Sequence, residues 1–176
     1  VGLGMLEAST YHLVKEEEIK LWRITNPLEV EYSKSEYKFL RQNLILPMLR
    51  IIKENKDHEY PQNLFEIGTI FTRAPLSETG INEAEHLISA FCPSNFTKIK
   101  QMLDHLFNAL KLNYEVKRAV KYGLIEGRTA AVIFQGKEIG YMGEMHPETL
   151  REWGIKMPLA IAEISLSEVY LALATQ

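Results

Sequence analysis

The sequence predicts a mixed α and β fold, and three observations carry that expectation. Phe65, Ile67, Thr69 and Phe71 alternate with Glu66, Gly68 and Ile70, a period of two built from types that fill a pleated strand well. Ala130 to Phe134 is apolar, Gln135-Gly136 supplies a turn, and Lys137 to Met145 returns, which reads as a hairpin. Phe96 to Leu112 sets Ile99, Met102, Leu103, Leu106, Phe107 and Leu110 at helical spacing behind Asn95, a candidate N-cap. Alternation alone leaves α/β and α+β arrangements both open.

The totals exclude several classes. A chain of 176 residues, 46% hydrophobic and 24% charged, fits one domain with a real core. The net charge is −3, from 20 basic and 23 acidic residues, so no overall field favours nucleic acid or an anionic membrane. The single cysteine, Cys92, excludes an internal disulfide and a CxxC metal frame. A reducing, cytoplasmic setting is the expectation. No apolar run approaches the ~20 residues that span a bilayer, so no membrane partner is expected.

Taken in order, Gly2-Leu3-Gly4-Met5 carries the glycine that closes a helix, which predicts a helix mostly upstream of residue 1. Val1-Gly2-Leu3-Gly4 reads as an interior stretch of a longer protein. Glu7 to Val14 reads as a strand, Glu16-Glu17-Glu18 as a solvated turn, and Ile19 to Ile24 as a short strand. Asn26-Pro27 initiates a turn. Arg41 either steadies a loop by pairing with a carboxylate or is an exposed charge. Pro47 suits a first helical turn, and the helix is predicted from Pro47 to about Asn55. Gly68, inside a strand, marks a close approach by a ligand or another backbone. Ala74 to Glu85 reads as an irregular loop with no lysine or arginine, and His86 to Phe91 as a buried strand.

In the second half, Tyr114 to Val120 and Leu159 to Leu166 read as strands. Gly127 to Ala130 opens the hairpin. Pro147 starts a short helix that Gly154 closes, with Glu148 in its first turn. Ser167 is the expected N-cap of a last helix, Glu168 to Ala174. His105 has no second ligand at metal spacing, and His146 has no nucleophile or carboxylate partner, so both read as structural. Lys111, Lys117, Arg118 and Lys121 read as a solvated face rather than an RNA contact.

Three stretches carry a resemblance. Phe65-Glu66-Ile67-Gly68, two further residues and Phe71 resemble the first motif 2 strand of class II aminoacyl-tRNA synthetases, and more narrowly that of the phenylalanyl-tRNA synthetase β subunit. Asn26-Pro27-Leu28 followed by Leu40-Arg41 and Leu46-Pro47 resembles a second pattern of those subunits. Gly140-Tyr141-Met142-Gly143-Glu144-Met145-His146-Pro147-Glu148-Thr149-Leu150 resembles a third, the most specific of the set.

The resemblance implies an α+β fold, an antiparallel β-sheet flanked by helices, with residues 1–176 forming one catalytic-like domain of a longer β subunit of archaeal or eukaryotic type. The strand near residue 10 and the helix before it would be motif 1, which builds the subunit interface. In catalytic members the motif 2 strand continues Phe-Arg-x-Glu, and its arginine grips the α-phosphate of ATP. Thr72 stands at that arginine position, Ala74 at the glutamate, and Arg73 one residue off. Thr72 lacks the bidentate fork that phosphate recognition uses. Motif 3 supplies a second arginine, for the γ-phosphate, and Val169 stands there. The resemblance therefore implies no catalytic, cofactor-binding or metal-binding residue in this domain. It also implies a catalytic α subunit as partner in an (αβ)2 enzyme that uses ATP and Mg²⁺ to charge tRNA(Phe). Self-association of the isolated domain through an uncovered motif 1 surface is a further expectation. An active ligase using the displaced Arg73 and Arg41, or an unrelated interaction module, are the alternative readings.

Overall fold

Residues 3–174 are described in the structure, a computed structural model. In chain order the first half comprises β1 (Leu6–Glu7), β2 (Leu13–Lys15), α1 (Glu16–Leu21), β3 (Leu28–Glu29), β4 (Tyr37–Leu40), α2 (Ile45–Glu54), β5 (Gln62–Arg73) and β6 (Ile81–Cys92). The second half comprises α3 (Phe96–Ala109), β7 (Glu115–Arg118), β8 (Leu124–Phe134), β9 (Lys137–Met145), α4 (Pro147–Trp153), β10 (Ala160–Ser165) and α5 (Leu166–Ala174).

Seven strands form one sheet in the order β1-β5-β6-β10-β9-β8-β7, and β2-β4-β3 form a small second sheet. Every pairing in the large sheet is antiparallel except β1 with β5. This is the expected α+β architecture. The central strand, β10, has all six residues buried, because both faces of the sheet are covered. On one face α2 residues such as Leu46, Leu49 and Ile52 pack on Leu64, Ile70, Ile88 and Ile161. On the other, Ile99, Leu103 and Phe107 of α3 pack on Phe91, Val132, Ala162 and Ile164.

Several elements form for the local reasons their residues supply. Asn95 caps α3, its side-chain oxygen accepting the Lys98 N–H at 3.1 Å. Gln135 and Gly136 turn with φ of 48° and 81°, and positive φ at both positions matches the twist of a two-residue hairpin. His146 caps α4 by accepting the Glu148 N–H at 3.2 Å, and Gly154 closes that helix at φ 72°. His146 thus has the structural role its surroundings predict.

Other expectations are corrected. Glu7–Val14 is not one strand: the chain pairs only at β1 and β2, and residues 8–12 are irregular. There the Thr10 and Ala8 backbones bond across to β5 instead. Glu16, Glu17 and Glu18 form the acidic first turn of α1 rather than a solvated turn, and Ile19 lies in the same helix, not in a strand. Glu18 is buried because its carboxylate accepts the Lys15 N–H at 2.7 Å and lies 3.4 Å from Arg50 Nε. Residues 81–85 are the start of β6, so the loop is only 74–80. The α3 helix stops at Ala109, leaving Leu110 exposed. β7 and β10 are shorter than predicted by residues at both ends. β8 begins at Leu124, before Gly127, and its pairing with β9 slips between Leu124 and Thr129. Finally, Ser165 rather than Ser167 accepts from the first turn of α5, at 3.2 Å from Glu168 N. Ser167 Oγ accepts the Glu85 N–H of β6 at 2.8 Å. Gly4 has φ 59°, as a helix-closing glycine would, while Gly2 and any helix before it lie outside the described residues.

Candidate functional site

Alternation along β5 places Leu64, Glu66, Gly68, Ile70 and Thr72 on the α2 side of the sheet. Thr72 is half-buried opposite Asn82, and Ala74 begins the turn, its N–H bonded to the Gly80 carbonyl at 2.9 Å. Arg73 points away from that face. Its guanidinium donates to Asn26 Oδ1 and to the Pro27 carbonyl, both at 3.1 Å, tying β5 to the turn that leads into β3. Val169 is 4% exposed and packs with the α3 side chains on the opposite face. The sheet therefore separates Thr72 from Val169.

The α2-side face is occupied by the chain's own segment 41–44. Arg41, 1% exposed, donates from Nε to the Thr69 carbonyl and from Nη1 to Thr10 Oγ1 and Glu66 Oε1, each at 2.7 Å. Thr10 Oγ1 donates in turn to Glu66 Oε2 at 2.7 Å. Of the two readings left open for Arg41, pairing with a carboxylate is the one the fold adopts. Gly68 lies beneath this guanidinium, and a Cβ there would collide with Arg41 Nη2. The close approach that Gly68 marks is thus by a side chain, not by a ligand or a backbone.

A second buried carboxylate lies two strands away. Glu66 and Glu163 flank Ile88 in register on the same face. Glu163 Oε1 accepts the Leu44 N–H at 3.0 Å and sits 2.9 Å from His86 Nδ1, while Oε2 is buried without a partner. Burial and the nearby Glu163 carboxylate push the Tyr141 phenol well above its ordinary range. Two carboxylates on the sheet thus clasp the two ends of one short segment, and the face is closed by protein groups.

The remaining candidates separate. His105 is exposed on α3. Lys121 pairs with Glu138 at 2.8 Å and Arg118 lies 3.6 Å from Glu126, so the basic cluster is partly neutralised. Among the described residues no three His, Cys, Asp or Glu side chains converge for a metal ion. An apolar cleft of about 290 Å³ opens on the α3 side, lined by Leu3, Met5, Phe65, Ile67, Leu87 and Leu106 among others. No helix among the described residues is long and apolar enough to cross a membrane.

Sequence reasoning missed Thr10, Glu66, His86 and Glu163. One signal was available: a glutamate sharing a strand face with Ile70 must find a partner if that face is buried, and Arg41 was the flagged cation.

Residues 1–166 match the family described as phenylalanyl tRNA synthetase beta chain CLM domain. The chain is 32% identical to the phenylalanine–tRNA ligase beta subunit of Thermococcus sibiricus over 97% of its own length and 31% of the relative's. It is equally similar, at 32%, to that of Pyrococcus furiosus, again over 97% of this chain and 32% of the relative. The chain thus spans about a third of the length of these curated relatives. A pyrrolysyl tRNA synthetase structure from Desulfitobacterium hafniense superposes with a TM-score of 0.78 at 15% identity, covering 98% of this chain and 62% of that one, which establishes a shared fold. The antiparallel sheet and its flanking helices therefore have a class II synthetase-like fold, and the chain belongs to the phenylalanyl-tRNA synthetase β-chain CLM domain family.

Proposed function

We propose that this chain is the non-catalytic, synthetase-like domain of a phenylalanyl-tRNA synthetase β subunit. In this reading it pairs with a catalytic α subunit in a cytoplasmic (αβ)2 enzyme that charges tRNA(Phe). The single observation that carries it is the closed α2-side face. Thr72 and Ala74 offer no cation there, Arg73 is committed to Asn26 and Pro27, and Arg41 is committed to Glu66 and Thr10. Glu66 and Glu163, the carboxylates that could face Mg²⁺, are buried against Arg41, His86 and Leu44. These residues do not fit a magnesium nucleotide, so ATP and Mg²⁺ belong to the partner in this account. The exposed apolar cleft beside Ile67 supports a role in protein pairing, and in self-association when the partner is missing.

Co-purification of the intact subunit with its α subunit, followed by sedimentation, tests the pairing. A stable mixed complex is expected, together with phenylalanine-dependent ATP–pyrophosphate exchange that needs α. Exchange by this chain alone would overturn the reading.

A further inference from the structure

β5 and β6 pair along their whole lengths, from Gln62 opposite Cys92 to Arg73 opposite Ile81. Their neighbours stop earlier. β10 reaches only as far as His86, and β1 pairs only with Leu64 and Phe65. Residues 69–73 and 81–85 therefore form a two-stranded ribbon beyond the rest of the sheet, roughly 17 Å long at ~3.3 Å per residue. It is braced midway by the Phe71 N–H on the Arg41 carbonyl and, next to the turn, by Arg73 on Asn26 and Pro27.

The turn at its end is fixed. Ser77 N–H bonds the Ala74 carbonyl at 2.8 Å and Gly80 N–H the Ser77 carbonyl at 3.1 Å. Ser77 Oγ donates to the Ala74 and Ile81 carbonyls, and Thr79 Oγ1 donates to the Ile81 carbonyl. This ordered tip holds Leu76 at 102% exposure. Glu78 stands in the same turn, and the exposed carboxylates of Glu83 and Glu85 follow along the ribbon opposite Phe71 and Thr69; none of the three forms an ion pair with a described residue. No lysine or arginine occurs between Ala74 and Glu85.

An apolar side chain presented on a pre-ordered turn loses little conformational entropy on burial. Unpaired like charges in the turn and along the ribbon repel phosphate and attract a cationic surface. We propose that the β5–β6 ribbon is a docking arm that inserts Leu76 into an apolar pocket, rimmed by lysine or arginine, on a partner protein. Resting on the function proposed above, that partner is the catalytic α subunit. The acidic tip assigns the arm to protein rather than to RNA.

The test uses the intact subunit and the α subunit, with affinity and rates followed at several ionic strengths. All four side chains are exposed, so Leu76→Ser and the triple change Glu78→Lys, Glu83→Lys, Glu85→Lys leave the fold intact, which circular dichroism checks. Leu76→Ser is expected to weaken pairing about 10-fold or more, through faster dissociation. The triple change is expected to slow association about 10-fold at low salt, an effect that fades as salt rises. Wild-type affinity in both variants, with the complex intact, overturns the arm while the pairing reading stands. Unchanged pairing accompanied by altered tRNA affinity in the triple variant would reassign the arm to RNA. If the wild-type subunit forms no complex with α, both readings fall.

Discussion

Replacing Arg41 by methionine removes a cation from a site where its partner cannot reach water. The Arg41 and Glu66 side chains are 1% and 3% exposed, and they meet at 2.7 Å. The variant keeps most of the stem volume but leaves the Glu66 carboxylate with Thr10 alone, and frees the Thr69 carbonyl. Breaking a buried pair on one side costs about 3–5 kcal/mol. At roughly 2–4 °C per kcal/mol for a domain of this size, the melting temperature should fall by on the order of 10 °C. Urea unfolding followed by circular dichroism measures it directly. The double variant Arg41→Met, Glu66→Leu should recover most of the loss, since replacing both partners by apolar groups is near neutral. Gly68 supplies an independent check: Gly68→Ala should destabilise the wild type through the guanidinium it strikes, yet cost little beside Arg41→Met, where that guanidinium is gone. A loss below about 1 kcal/mol in Arg41→Met, or equal Gly68→Ala penalties in both backgrounds, would refute a load carried by this pair.

Burial pushes the Cys92 thiol up to about 11, so the native protein should resist a disulfide reagent near neutral pH and react promptly in denaturant; equal rates in both conditions would contradict the structure. Glu18 is also raised, first by burial, against the pull of the Lys15 N–H and Arg50. A carboxyl raised on folding binds its proton more tightly in the native state, so its contribution is most favourable at low pH and declines as pH rises from the unfolded to the folded value. The stability of the wild type relative to Glu18→Gln should therefore fall as pH rises above the ordinary carboxylate range of about 4, and urea midpoints that diverge the other way would count against it. Gly154→Ala, at φ 72°, should cost about 1 kcal/mol by placing a Cβ in left-handed backbone, read as a lower melting temperature.

What the sequence displayed and what it hid follow a physical division. Elements specified by neighbours in sequence were legible: the Gln135-Gly136 turn, the Asn95 and His146 caps, and the apolar stripe of α3 from Ile99 to Phe107 each need only local spacing. The segment from Glu7 to Ile24 was misread because its partners are distant. Thr10 is fixed by Glu66 and Glu18 by Arg50, and no local pattern announces either contact. The strand residues from Ile81 to Glu85 read as loop in the sequence because most of their side chains are polar or small and face water on a strand held mainly by β5. At the candidate site, Thr72, Ala74 and Val169 were assigned through resemblance alone. That they lie on different faces, and that Arg41 closes one of them, depends on register across three strands.

The strand order carries a consequence for assembly in time. β1, β5 and β6 form one block and β7, β8 and β9 another, each able to pair from its own stretch of chain, while the strand that joins them, β10, follows the other nine described strands in the chain and so leaves the ribosome after them. Until residues 160–165 emerge, β6 and β9 both present bare inner edges, and contacts such as Glu163 with Leu44 must close a loop of more than a hundred residues. Such long closures slow folding. A nascent chain halted before β10 would be two half-sheets with matching adhesive edges, the form most exposed to chaperones and to pairing with the wrong neighbour.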